Sequence, residues 1–184
     1  MGDTMDTRNV IRLLQTLRAV RAFLPDPVPE EVVHDLLEVA RWTGSARNVQ
    51  PWELVVVRSR ESLDALAACE GYAAHLAGAQ LGIVLVMAGE NKNQETYDEG
   101  RLSERIMLAA AAHGVGASIG WFTGQGRADA KRLLGIPEHR LVRTAISLGF
   151  PDEEARRVRP VRRDARKPLS EIVHLERYGR GMTD

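Results

Sequence analysis

The sequence predicts an α+β domain, with helices layered against a central sheet, and three patterns carry that expectation. Leu81–Met87 is a continuous apolar run of strand length, the mark of a strand buried on both faces. Val32, Val33, Leu36, Leu37 and Ala40 recur at helical spacing and define one apolar stripe. Segments of these two kinds alternate along the chain, which gives a layered α/β arrangement whose strand order the pattern leaves open. With 184 residues, 44% apolar and 27% charged, the chain suits one domain with one core.

Taken in order, Thr7–Thr16 reads as a short amphipathic helix with Val10, Ile11, Leu13 and Leu14 on its apolar side. Leu24–Pro29 is an extended, proline-punctuated connector. A clear helix follows, with Pro29 at its first position and Glu30 and Glu31 at the positive end of its dipole. It ends near Trp42, and the Gly44–Pro51 loop leads into a short β-branched strand, Leu54–Val57. Ser62–Ala68 reads as helix and Ala73–Gln80 as a weaker helical stretch before the buried strand Leu81–Met87. Glu99–His113 is a well-defined helix, and its Ala109–Ala112 run suits close packing. Val115–Phe122 is a strand or extended turn between glycines, and Ala128–Leu134 a helix stopped by Gly135 and Pro137. Leu141–Leu148 is the last core strand. From Pro151 the composition shifts: Glu154–Lys167 is charged without a stripe, and Pro168–Tyr178 regains apolar character at Leu169, Ile172, Val173 and Leu175. The expected organisation is a single domain over 1–184, with 151–184 as an extended C-terminal arm.

Charge and motifs exclude several functions. Lys+Arg and Asp+Glu both number 25, so bulk electrostatics argues against a dedicated nucleic-acid or membrane-surface binder. The single cysteine, Cys69, forms no internal disulfide and reads as a small helix-face residue, which fits a reducing cytosol. The first ten residues lack an apolar signal core, and Leu81–Ala88 is far too short to span a bilayer, so a cytoplasmic location is expected. No His-x-x-x-His or Cys-x-x-Cys pair offers a metal site, no phosphate-binding Gly-x-x-x-x-Gly-Lys-Ser/Thr loop exists, and there is no Gly-x-Ser-x-Gly elbow. The five histidines are dispersed, without carboxylate partners in sequence. Side chains that supply so little chemistry suit an enzyme whose cofactor reacts.

Three segments could serve one ligand. Arg18 and Arg21 stand three apart where a helix meets the extended connector; they could clamp a phosphate or simply be solvated. In Gly44–Trp52, Ser45, Asn48 and Gln50 offer donors and acceptors suited to the edge of a planar heterocycle, or else line an ordinary polar loop ahead of a buried Trp. Arg156–Lys167 holds seven cationic side chains against one acid, Asp164; it reads as a solvated arm or a phosphate ligand, and it lacks the interleaved aromatics of a single-strand nucleic-acid binder.

Together these segments resemble the nitroreductase-like FMN enzymes. The N-terminal signature of that family matches Arg18, Arg21, Phe23, Pro27-Val28-Pro29, Ser45, Asn48, Gln50, Pro51 and Trp52 in register. Tyr97-Asp98-Glu99-Gly100, Leu108-Ala109-Ala110 and His113-Gly114-Val115-Gly116 look like its central helix and following turn. Trp121-Phe122-Thr123-Gly124 looks like its Trp-Ile-Gly-Gly turn, and Leu148–Pro151 with Arg166–Leu169 like its C-terminal close. Coverage is residues 8 to 178.

The resemblance implies a central mixed sheet flanked by helices, a C-terminal arm exchanged in a homodimer, and FMN at the subunit interface. Arg18, Ala19 and Arg21 would contact the ribityl phosphate, with Arg166 or Lys167 completing that site. Ser45, Asn48 and Gln50 would face the flavin, and the Thr123 and Gly124 backbone would lie near the isoalloxazine. No side chain need act as acid or base. NADPH or NADH would be the electron donor and a small nitroaromatic, quinone or enone the acceptor, in ping-pong order. A flavin-binding protein without turnover, a dehalogenase and a flavin-fragmenting enzyme are alternatives on the same fold. Leu17 and Ala19 stand where the family often has Arg and Ser, and Thr43-Gly44 replaces its Ala-Pro. The short Gly89–Gly100 segment, where larger relatives carry a lid, implies an open site.

Overall fold

A computed structural model describes residues 6–157 and 166–181. The chain divides into two compact units, Met1–Glu153 and Glu154–Asp184.

In the first unit, helix α1 (Thr7–Thr16) starts on Asp6, whose carboxylate accepts the Arg8 N–H at 3.0 Å. Helix α2 (Glu30–Arg41) takes Pro29 as its cap rather than as its first residue, so it starts one residue later than expected. Strand β1 (Trp52–Val57), helix α3 (Arg60–Ala67), a 3₁₀ segment (Ala74–Gly78) and strand β2 (Leu81–Met87) follow. Helix α4 (Lys92–Ala112), strand β3 (Gly116–Trp121), helix α5 (Gly124–Leu134) and strand β4 (Leu141–Gly149) complete the core. Helix α5 stops where Gly135 turns to φ 66°, a left-handed cap that glycine takes without strain. Short helices α6 (Glu153–Arg157) and α7 (Leu169–Ile172) come last, and within the second unit His174 bridges to Gly181.

The four strands lie in the order β1-β2-β4-β3. Among the described residues every neighbouring pair is antiparallel, where the resemblance implied a mixed sheet. The reason lies in β4. Helix α4, 21 residues and so ~31 Å long, carries the chain from the end of β2 back to the start of β3, and these two strands run the same way. Strand β4 enters between them and runs opposite to both, so a βαβ-like alternation yields antiparallel neighbours.

Strand β2 is buried throughout because both its faces are covered. Ile83 and Leu85 join Leu36, Ala40, Leu102 and Ile106 under α2 and α4. Val84 and Val86 join Leu63, Leu66, Leu76 and Ala130 under α3, the 3₁₀ segment and α5. The link from β2 to α4 is only Ala88–Asn91, and the buried Glu95 carboxylate gathers it by accepting the N–H groups of Gly89, Glu90 and Asn91 at 2.8–2.9 Å. Helix α4 therefore starts seven residues earlier than its apolar pattern predicts.

Candidate functional site

The Gly44–Trp52 loop leaves α2 and enters β1 at one edge of the sheet. Its backbone is strained: Arg47, Asn48 and Gln50 sit at φ 53°, 57° and 51°, in the left-handed region that side chains disfavour. Ser45 Oγ accepts the Gln50 N–H at 2.8 Å and clasps the loop, and Asn48 N–H bonds back to the Ser45 carbonyl at 3.1 Å. The Ser45 hydroxyl retains its proton to donate. Gln50 Nε2 donates to the Asn48 carbonyl at 3.2 Å, so Gln50 is partly spent on the loop itself. Among the described residues nothing pairs with the exposed Asn48 side-chain amide. Gly44 lies against Arg101 of α4: a Cβ there would stand 2.8 Å from Arg101 Nη2, the tip of a flexible side chain that can move aside.

The Arg18–Phe23 stretch follows the opposite edge. Val20 is buried and its N–H bonds to the Ala117 carbonyl of β3 at 2.9 Å. Glycines 116 and 149 make room for Val20 and Phe23, whose side-chain atoms would stand 2.7 and 2.9 Å from an added Cβ. Ala19 and Arg21 are exposed on this stretch. The two arginines do not converge as a clamp. Arg18 curls back to donate to the carbonyls of Gln15 and Leu17 at 2.9 and 2.7 Å, closing the C-terminal end of α1. Arg21 stays exposed and unpaired among the described residues, near enough to His75 to act on its charge. Burial first and Arg21 second hold the His75 pKa below the ordinary histidine value. His75 Nδ1 meets Ser147 Oγ at 2.7 Å, and its Nε2 is buried without a partner among the described residues.

The glycine turn after β3 is locked to the end of α3. Thr123 N–H bonds to the Glu70 carbonyl at 2.9 Å and Thr123 Oγ1 to the Glu70 carboxylate at 3.2 Å. The Thr123 amide is thus already engaged, which leaves Gly124 as the backbone donor of the expected pair. Thr123 lines a cleft of ≈ 330 Å³ with Ile119, Trp121 and Phe122 from the β3 side and Glu99 and Ser103 from α4. At its wall Glu99, with 6% of its side chain exposed, pairs through Oε2 with Arg143, while Glu99 Oε1 is buried and, among the described residues, unpartnered. Glu70, His75 and Arg143 carry no signal in the sequence, and Glu99 appears there only within the Tyr97–Gly100 motif, because each gains its role from a partner at least 44 residues away.

Within one copy the expected residues fall into separate groups. The Ser45–Gln50 loop precedes β1, one sheet edge, and Arg18–Arg21 lies along β3, the other, with β2 and β4 between them. At the usual strand spacing the two edges are ~14 Å apart. Arg166 and Lys167 are exposed in the second unit. Of the basic run 156–167, residues 158–165 lie outside the described residues. Among the described residues no cluster of three or more His, Cys, Asp or Glu could hold a metal, and no helix is long and apolar enough to cross a membrane.

Comparison with known proteins adds a family. The profile of the Nitroreductase family matches residues 15–98. A Methanothermobacter thermautotrophicus protein, provisionally named an NADH dehydrogenase/NAD(P)H nitroreductase, is 30% identical over 92% of this chain and 88% of its own length. The NADH dehydrogenase of Thermus thermophilus is 30% identical over 74% of this chain and 84% of its own length. Among solved structures, the FMN-dependent nitroreductase NfnB from Mycobacterium smegmatis, in complex with NADPH, superposes with TM-score 0.78 at 25% identity over 92% of this chain and 99% of that one. An FMN-dependent nitroreductase from Clostridium difficile R20291 superposes with TM-score 0.81 at 24% identity over 91% and 99%, a likeness of fold. Matched along most of both chains by relatives of this identity, the chain belongs to the nitroreductase family.

Proposed function

We propose that the protein is an FMN-dependent oxidoreductase that passes reducing equivalents from NADPH or NADH to a small organic acceptor, acting as a cytoplasmic homodimer with each cofactor held between two copies. The observation that carries this reading is the strained loop. Three non-glycine residues are kept in left-handed conformations, and the loop presents an Asn48 amide that nothing among the described residues binds. Such strain is retained where a ligand uses the geometry.

The residues fit the cofactor. Arg21 offers a guanidinium without an acid partner to a phosphate, and Arg18, the Ala19 backbone, Arg166 and Lys167 are the further phosphate ligands. Ile119, Trp121 and Phe122 give the cleft beside Thr123 apolar walls suited to a planar ring. Asn48 reads the ring edge with both donor and acceptor, Ser45 adds one O–H donor, and Gln50 keeps its carbonyl oxygen as an acceptor. The Gly124 N–H stands at the start of α5, where partial positive charge favours electron density on a nearby ring. Because the sheet stands between the β1 loop and Arg21 of one copy, the loop of a second copy is the natural source of Asn48, and the 151–184 arm is the segment exchanged.

FMN, when held by Arg18, Arg21, Asn48 and the Thr123–Gly124 turn, would supply the redox chemistry, a two-electron exchange with the nicotinamide and with the acceptor in separate half-reactions. The chain's own task is to position the two reactants in turn and keep them aligned. Its four-residue β2–α4 link leaves the cleft without an inserted cover, which suits exchange of a dinucleotide for an acceptor such as a nitroaromatic, quinone or enone. The test is anaerobic. The FMN-loaded protein is expected to bleach near 450 nm with NADPH or NADH and to recover on adding an acceptor. A loaded protein that neither nucleotide bleaches would contradict an oxidoreductase and leave a flavin-binding protein.

A further inference from the structure

The turn beside the cleft carries an acid for which the proposed function has no use. The Glu70 carboxylate accepts Thr123 Oγ1–H at 3.2 Å and, through its other oxygen, the Gln125 N–H at 3.0 Å. The neighbouring glycines are shaped to it. A Cβ on Gly124 would lie 2.4 Å from Glu70 Oε1, and one on Gly126 2.0 Å from the Glu70 carbonyl oxygen. The chain has therefore set one of its own negative charges at the N-terminus of α5, the place most favourable to an anion. That charge touches Thr123, a wall of the ≈ 330 Å³ cleft whose opposite wall carries the buried, half-partnered Glu99.

We propose that Glu70 tunes the redox equilibrium of the cofactor, holding its reduction potential down so that the reduced site remains a strong donor. The proposal rests on the placement of the flavin ring beside Thr123 and Gly124. Reduction delivers two electrons and one proton to the ring as a hydride from the nicotinamide, which leaves as NAD(P)⁺, and the ring gains one negative charge. Glu70 repels that charge, and its bond to Gln125 already engages one of the N–H groups at the helix end. A like charge at this exposed position beside the turn is worth about tenfold in that equilibrium.

The experiment compares the FMN-loaded wild type with Glu70→Gln, which keeps an acceptor for the Gln125 N–H and removes the charge. Each is equilibrated anaerobically with a reference dye. The expected result is a shift of about tenfold towards the reduced form, ~30 mV for a two-electron couple, with FMN affinity unchanged within about twofold. Glu70→Asp keeps the charge while shortening the cap, and is expected to hold the wild-type potential. Equal potentials in wild type and Glu70→Gln, both carrying FMN, would overturn the proposal and leave Glu70 a helix cap. So would Glu70→Asp moving the potential as far as Glu70→Gln, since packing would then be the cause. Failure of the wild type to take up FMN would instead remove the functional reading, and the proposal with it.

Discussion

Replacing Arg21 by alanine separates the cofactor site from the fold. The guanidinium is exposed, and among the described residues it makes no ion pair or hydrogen bond, so its loss leaves no buried group stranded. The change in folding stability should stay within about 0.5 kcal/mol, as for surface positions generally. If Arg21 binds the FMN phosphate, the variant loses a charge-assisted hydrogen bond, about 1.5–3 kcal/mol, which weakens FMN binding about 10- to 150-fold. Titration of the flavin-free protein, followed by flavin fluorescence, gives the dissociation constants. Riboflavin, which lacks the phosphate, supplies the control: wild type and variant should bind it alike. If Arg21→Ala binds FMN as tightly as wild type does, or weakens FMN and riboflavin equally, Arg21 is not a phosphate ligand.

Three further outcomes test the packing and the charges. Gly126→Ala would drive a Cβ to 2.0 Å from the Glu70 carbonyl oxygen, a backbone atom that cannot swing aside, so thermal denaturation should report a loss of about 1–3 kcal/mol; an unchanged melting temperature would mean that the α3–α5 junction opens freely. Glu99→Leu strands the Arg143 guanidinium and should cost about 3–5 kcal/mol, most of it recovered in the double variant with Arg143→Met; purely additive losses in urea denaturation would count against a coupled pair. His75 is held neutral by burial and by Arg21, so the unfolded chain takes up a proton there more readily than the folded one. Its contribution is whole above the ordinary histidine value of about 6.5 and is lost as pH falls below it. His75→Gln should flatten that acid limb, and an identical pH profile would contradict the assignment.

Much of the fold was legible because burial and periodicity coincide. Helix α1 and strand β2 match their expected bounds, the first through its capped apolar stripe and the second because both its faces are covered. The start of α4 was hidden because the buried residues of its first two turns are acids, Glu95, Asp98 and Glu99, which leave no apolar stripe. The legible signal was Asn91 with Gln94, whose N–H the Asn91 side chain accepts at 3.2 Å as a helix cap. The antiparallel sheet could not be read from alternation, since inserting β4 between β2 and β3 is a tertiary event. At the candidate site the sequence singled out Asn48 and Arg21, whose side chains are exposed and unpaired among the described residues, but it could not tell that Ser45 clasps its own loop or that Arg18 folds back onto α1. The Glu70–Thr123 and Glu99–Arg143 contacts join residues 53 and 44 apart, and no local pattern marks such pairs.

The most direct test of the central claim is reconstitution of the flavin-free chain with FMN, read by absorbance and fluorescence together with the mass of the complex. Quenching is expected to saturate at one FMN per chain in a two-chain particle. A mixture of Arg21→Ala and Asn48→Ala chains is expected to recover wild-type affinity at half the sites of each mixed pair, because one site then draws both intact groups. A chain that takes up no FMN, or binds it fully as a single copy, would contradict the account.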